Sequence, residues 1–350
     1  MDPGNVSGAK ARLPRWLIPV LGYTVSVACL VWVYYGFDWK AQLPQLLATD
    51  WRFVTVAVVA DVFIYIVQAW RWNLVLRPIK RLRMPRTIQA IYIGLFANEV
   101  LPLRSGEVIR CYLLARWNAL HFSVAVSSAL IERMLDGVWL ALGFWTIAHF
   151  IELPGYLVAG GQILVVALLV LTVLLVIAVI HKKHAHAAVK GSRWAEVLRH
   201  VVDGSHDMGR SPSFLLAGAV SLIYLAMQVI PIYSLAFAYG VNLSLTQAVV
   251  VLVILRLGSI PPQAPGNVGT FQFLTILALG LFGVPRGEAT GFATLLFVVV
   301  TAPLWLGGFI ALLATRMRLT DIHQRAHDRL ANGSRAAPAD QGGRTPPHSG

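Results

Sequence analysis

The chain has 350 residues, 57% of them hydrophobic and only 13% charged, with a mean hydropathy of +0.66; a single soluble core of this length cannot hide so much apolar surface, so the excess is expected to face lipid. The formal charge of +13 would suit nucleic acid. The basic residues instead sit in short segments beside apolar runs (Arg77, Lys80, Arg81, Arg83 and Arg86 in one; Lys182, Lys183, Lys190, Arg193 and Arg199 in another), which is a membrane-topology pattern and excludes a nucleic-acid partner.

In chain order, residues 1–15 carry Lys10, Arg12 and Arg15 and precede an apolar run over 16–37. That run is long for a signal-peptide core and no A-x-A site follows it, so an uncleaved first span is expected. A second span is expected over 53–76, long enough at 1.5 Å per residue for the roughly 30 Å hydrocarbon layer. Within it Asp61 reads as the partner of an arginine or of a polar group near the outer leaflet, in preference to a proton relay. Arg71 between Trp70 and Trp72 reads as an interfacial anchor.

The next apolar region, 88–114, is interrupted at Pro102 after about 14 residues, or roughly 21 Å of helix, which is too short to cross. Spans are expected over 124–150 and 156–180, followed by a basic segment at 181–210 whose His181, His184 and His186 read as surface groups. A span over 214–239 precedes a second interrupted region, 246–283, broken by Pro261, Pro262, Pro265, Gly266 and Gly269; a continuous helix is impossible there. The last span is expected over 289–315, and residues 319–350 read as a cytoplasmic, largely disordered tail. Cys29 and Cys111 read as packing residues, with no disulfide framework.

The positive-inside rule places the basic segments in the cytoplasm, so the N- and C-termini are expected there. For the remaining connections to alternate, each interrupted region must enter and leave on one face. The expected fold class is therefore an all-α polytopic membrane protein of the inner membrane, with about six full spans plus two re-entrant helical hairpins. Residues 16–150 and 151–318 form an inverted repeat in this reading, the arrangement in which broken segments meet near the midplane around a substrate.

The strongest chemical signal is the density of charge around the first break. Glu99, Arg104, Glu107 and Arg110 flank it, and Glu132, Arg133 and Asp136 follow in the next span. A charge at membrane depth costs about 2.5–3.5 kcal/mol, so these groups face a cavity or one another. Arg104 and Arg110 suit a phosphate because a guanidinium binds two oxygens at once. Ser105 can cap a helix beginning at Gly106 and so place a positive dipole end at an anion. The structural alternative is that the acids merely neutralise the arginines; it is preferred for Glu132, Arg133 and Asp136. Around the second break, Pro265, Gly266, Asn267 and Gly269 supply a turn, while Gln263, Asn267 and Gln272 offer neutral donors and acceptors. Arg256 approaches from the preceding half-helix, and a helix starting near Thr270 would point its amides inward. No Walker A, GxSxG or HExxH motif occurs, so no cofactor, metal or catalytic residue is expected.

The string PLRSGEVIRCYLLARW, followed by SSALIERMLDGVW, resembles the signature of the lysylphosphatidylglycerol synthase transmembrane region, a flippase-like family of membrane proteins. Pro262, Pro265, Gly266 and Gly269 match the Pro-x-x-Pro-Gly-x-x-Gly segment of that family, and the resemblance runs from the first span to about Arg318. An acidic residue often follows that motif, where this chain has Gln272. The synthases also carry a soluble aminoacyl-transferase domain after the membrane part, where a short polar tail stands here. The resemblance implies a lipid transporter that moves an anionic phospholipid or polyprenyl-phosphate lipid between leaflets, without lysyl-lipid synthesis. Two alternatives remain. One is a membrane-embedded enzyme using Glu99, Glu107 or Glu132 as general base; the other is a non-transporting protein that binds a lipid or a cytoplasmic enzyme partner.

Overall fold

The computed structural model describes residues 17–101, 105–150, 155, 158–163, 165–166, 169–170, 173, 208–209, 211–259, 264–315 and 319–331. Twelve main helices and one 3₁₀ turn lie along them, and no strand occurs among the described residues. The all-helical class expected from composition holds.

Helix α1 (Leu17–Tyr34) and the short α2 (Trp39–Leu47) meet at 88°. The Asp38 side chain starts α2 by accepting from the amides of Lys40 and Ala41 at 3.0 and 3.2 Å, satisfying two donors that a helix end leaves open. Asp50 caps α3 (Trp51–Leu76) in the same way. Three helical stretches are long and apolar enough to cross a membrane: α3, the stretch Pro212–Tyr239, and α11 (Arg286–Leu313). The bent α1–α2 pair would make a fourth. Pro212–Tyr239 comprises α7 (Pro212–Met227) and α8 (Val229–Tyr239), which part at Gln228. Pro231 explains the parting, since its ring clashes with the carbonyl four residues earlier and it has no amide to donate. Helix α6 (Phe122–Phe150) has 29 residues, enough for about 43 Å, but carries Glu132, Arg133 and Asp136. The expected span over 156–180 and the basic segment 181–210 lie largely outside the described residues.

Both interrupted regions are pairs of short helices. In the first, α4 (Met84–Val100) and α5 (Gly106–Trp117) rise about 25 and 18 Å. They pack antiparallel. A Cβ on Gly106 would stand 1.8 Å from the Gly94 carbonyl oxygen, and one on Gly94 would stand 2.6 Å from the Arg110 Cβ, so only glycine permits this approach. The Lys80 ammonium donates to the Asn118 carbonyl at 2.7 Å, which brings the two outer ends of the pair together. In the second region, α9 (Leu245–Gly258) and α10 (Thr270–Gly280) flank a 3₁₀ turn at Pro265–Asn267. A capping box of Ser244 and Gln247 opens α9. Gly258 lies against the Leu274 side chain, and Phe282, just past α10, joins the apolar cluster of Val250 and Val253.

Two cores result. One gathers α1, the first half of α3 and α8 through α11 around Ala57, Leu235 and Phe292. The other gathers the second half of α3 with α4, α5, α6 and α7 around Trp72, Ile91 and Leu113. Leu215, Trp145, Phe237 and Leu306 stay mostly exposed, as lipid-facing side chains would. The tail expectation needs correction over its first part. Residues Leu319–Ala331 form α12, whose Ile322 and Ala326 are buried in the second core against α5. Its apolar residues recur at helical spacing, a pattern that the polar composition of the stretch masks.

Candidate functional site

At the first break, the sequence-based cap is replaced by another. Ser105 occupies the N-cap position of α5 with helical backbone angles and makes no side-chain capping bond. Asn98, near the end of α4, accepts from the Gly106 amide at 2.8 Å. The cap thus comes from the opposite arm of the hairpin, at a sequence distance no local motif would flag. Arg104 lies outside the described residues.

Six charged side chains from α3, α5 and α6 close into a ring of alternating sign. Glu132 holds Arg71 at 3.3 Å and Arg110 at 3.0 Å; Glu107 holds Arg110 at 2.8 Å and Arg133 at 2.9 Å; Asp136 holds Arg133 at 3.7 Å and returns to Arg71. Arg71, Arg110 and Glu132 are buried, while the Arg133 side chain is 46% and the Glu107 side chain 33% exposed, so the ring is sealed on one side and open on the other. Aromatic faces complete the sealed side: Arg110 lies 4.6 Å over Trp72 and Arg71 lies 4.4 Å over Tyr224. The Trp72 indole donates to Ser128 at 2.8 Å.

The ring changes several expectations. Arg71 is not an interfacial anchor: it is fully buried and paired to two acids, because α3 turns it toward α6 while Trp70 faces outward. Glu132, Arg133 and Asp136 are ion-paired with Arg71, Glu107 and Arg110. Three arginines and three acids leave the ring neutral. Replacing a buried partner of such a group is costly because the remaining charge stays desolvated. As arranged, the ring rivets three helices together, and the oxygens of Glu107 and Glu132 are engaged by guanidinium groups.

The second break is built from unusual backbone. Gly266, Asn267 and Gly269 have φ of +70°, +50° and +85°, a region that costs other side chains roughly 1–3 kcal/mol. Gln272, read from sequence as a headgroup contact, is buried and accepts from the Gly269 amide at 2.8 Å, closing the start of α10. Thr270 donates to the Asn267 carbonyl at 3.0 Å. A Cβ on Gly269 would stand 2.4 Å from the Ser26 carbonyl oxygen, so α1 covers this side. Pro262 and Gln263 lie outside the described residues.

The two breaks meet. A Cβ added to Gly266 would come 2.9 Å from Oε2 of Glu99 and 3.7 Å from its carbonyl oxygen, so the end of α4 lies directly on the 3₁₀ turn. Arg256, half-buried in the last turn of α9, has its guanidinium 6.0 Å from the Tyr224 ring. Among the described residues no acid pairs with it. Complementing the carbonyl end of α9 would account for about 0.3–1 kcal/mol, which does not repay burying a guanidinium in so apolar a chain. Tyr224 therefore stands between Arg71, neutralised by Glu132 and Asp136, and Arg256, with which no acid pairs among the described residues.

Asp61 is buried and pairs with no arginine among the described residues. Its hydrogen-bond partner is Tyr65, one turn along α3. Cys29 and Cys111 are both free thiols, and no group of three or more potential metal ligands occurs among the described residues.

Residues 20–308 match the lysylphosphatidylglycerol synthase TM region family. A UPF0104 membrane protein of Methanothermobacter thermautotrophicus is 24% identical over 293 residues, covering 78% of this chain and 85% of that protein. Shorter matches of 128 residues join the chain to UPF0104 membrane proteins of Methanocaldococcus jannaschii, at 25% identity, and Pyrococcus horikoshii, at 22%; each covers 35% of this chain and 37% of the relative. The chain belongs to the lysylphosphatidylglycerol synthase transmembrane-region family, a family of membrane proteins.

Proposed function

We propose that this member of the family is an inner-membrane lipid transporter that moves an anionic phospholipid or polyprenyl-phosphate lipid between leaflets, holding its phosphate where the two interrupted hairpins meet. The carrying observation is the contact of Glu99 with Gly266, which sets the break of one helix pair on the break of the other. In this reading the hairpins dip into the bilayer from opposite faces as halves of an inverted repeat, with both termini cytoplasmic. The half-helix ends at Gly106 and Thr270 then point toward a common polar region, as in other transporters with broken helices. The juxtaposed outer ends of α4 and α5, tied by Lys80 and Asn118, support entry and exit on one face.

The cations assigned to the phosphate are Arg104 and Arg256. Arg110, neutralised by Glu107 and Glu132, orients α5, and Ser105 lies beside the α5 N-terminus. The closed charge ring keeps α3, α5 and α6 moving as a body while the second half rocks against it. The test is flux of a fluorescent anionic phospholipid in proteoliposomes. Wild-type protein is expected to accelerate translocation over empty vesicles, and Arg104→Ala and Arg256→Ala to abolish it. Unchanged flux in both variants would overturn the assignment.

A further inference from the structure

The buried carboxyl of Asp61 has no role in the phosphate site described above. It is the eleventh residue of the 26-residue α3, roughly 15 Å from one end and 22 Å from the other, and so sits in the body of the span. Only 6% of it is exposed, and its Oδ2 has no hydrogen-bond partner among the described residues. An ionised carboxylate placed so would keep an uncompensated charge in an apolar interior, and a bound proton removes that charge.

The groups around it are phenols. Tyr65 on the same helix hydrogen-bonds the carboxyl through its other oxygen. The Tyr92 ring of α4 packs 5.1 Å from the Tyr65 ring and its hydroxyl interacts electrostatically with Asp61. Tyr224 of α7 interacts with Tyr65 in turn and carries Arg71 on its face, with Arg256 6.0 Å away. No ion pair to Asp61 forms among the described residues. Calcium or magnesium would want six or more oxygens, no group of three metal-ligating side chains occurs among the described residues, and the set here is one carboxyl and neighbouring phenols, so a proton is the ligand that fits.

The geometry points to Asp61 as a proton-binding site that couples proton movement to the transport step, through Tyr65 and Tyr224, at Arg256. This rests on the lipid-transport reading. A proton from water on one face binds Oδ2 when the interior opens to that face, and leaves to water on the other face when the halves rock. With Asp61 ionised, the positive charge of Arg256 is drawn toward the carboxylate along the Tyr65–Tyr224 line. With Asp61 protonated, that charge is released to a phosphate. Proton and anionic lipid are therefore carried in the same direction.

Two measurements test it. Infrared difference spectroscopy of the purified protein in nanodiscs is expected to show a protonated-carboxyl C=O band that is missing in Asp61→Asn and returns, shifted, in Asp61→Glu. Identical bands in wild type and Asp61→Asn would overturn the proposal. Across proteoliposomes, an imposed pH gradient is expected to accelerate wild-type flux severalfold, while Asp61→Asn keeps its gradient-free flux and loses the response. A response retained in the variant would also overturn it. The infrared reading needs no transport, so a wild-type band that is lost in Asp61→Asn, alongside absent wild-type flux, would support the proton site and count against the lipid reading alone.

Discussion

Glu99 and Gly266 are in contact across the two breaks: no side chain can be added at 266 without meeting the Glu99 carboxylate at 2.9 Å. The residues lie far apart in sequence, yet they hold the interrupted ends of both helix pairs together. Gly266 also has φ +70°, so this position is restricted twice, by its backbone and by its neighbour.

Gly266→Ala is therefore expected to lower stability by roughly 1–3 kcal/mol and to suppress lipid flux more than that loss accounts for, because it separates the breaks. Thermal unfolding in detergent gives the first quantity and the proteoliposome assay the second. Full flux with unchanged stability would show that the turn tolerates a side chain.

The charge ring predicts a graded response around its circumference. Glu132→Ala leaves Arg71 and Arg110 buried without their shared acid and should cost about 3–5 kcal/mol. Arg133→Ala removes a largely exposed member and should cost no more than about 1 kcal/mol. Equal unfolding midpoints for the two variants would show that the ring is not sealed on the Glu132 side.

Two glycine-to-alanine changes separate packing from helix propensity. Alanine favours a helix over glycine by about 1 kcal/mol, and at Gly143 of α6 the nearest atom to a new Cβ is 3.9 Å away. Gly143→Ala is expected to be neutral or slightly stabilising. At Gly106 a Cβ would stand 1.8 Å from the Gly94 carbonyl oxygen, and overpacking on that scale should cost about 1–3 kcal/mol or more. The comparison is read from chemical-denaturation curves of both variants.

Arg256→Ala is expected to keep the wild-type unfolding midpoint within about 1 kcal/mol, the scale of a helix-end charge effect, while losing flux. Loss of stability without loss of flux would place Arg256 in the structural scaffold.

Much of the helical plan was legible because lipid enforces a simple rule: a span needs about 20 apolar residues, and Pro102 and the Pro261 to Gly269 stretch visibly violate it. The helices α3 and α11 and the joined α7 and α8 follow that rule closely. What sequence could not supply was azimuth, the direction in which each residue points around its helix. Arg71 looked like an anchor because its neighbours are tryptophans, and only the packing of α3 on α6 shows it turned inward to Glu132 and Asp136. Asn98 was missed as the α5 cap because it reaches across a hairpin, and α12 because its few apolar residues sit in a polar stretch. Gln272 was expected to face a ligand, and its oxygen closes its own helix. The interlocking of Glu107, Glu132 and Asp136 with three arginines had a detectable trace, the density of opposite charges around the first break and in the next span, but not its closure into a ring.

The central claim is that the two broken helix pairs enter from opposite faces of the membrane and meet at Glu99 and Gly266. Its most direct test is single-cysteine labelling with a membrane-impermeant maleimide, in right-side-out and inside-out vesicles, after replacing Cys29 and Cys111. Arg81→Cys and Arg116→Cys, before α4 and in the last turn of α5, are expected to label only from the cytoplasmic face; Asn242→Cys and Pro285→Cys, which flank the second pair, only from the outer face. Labelling of all four from one face, or of the two flanks of either pair from opposite faces, would contradict the account.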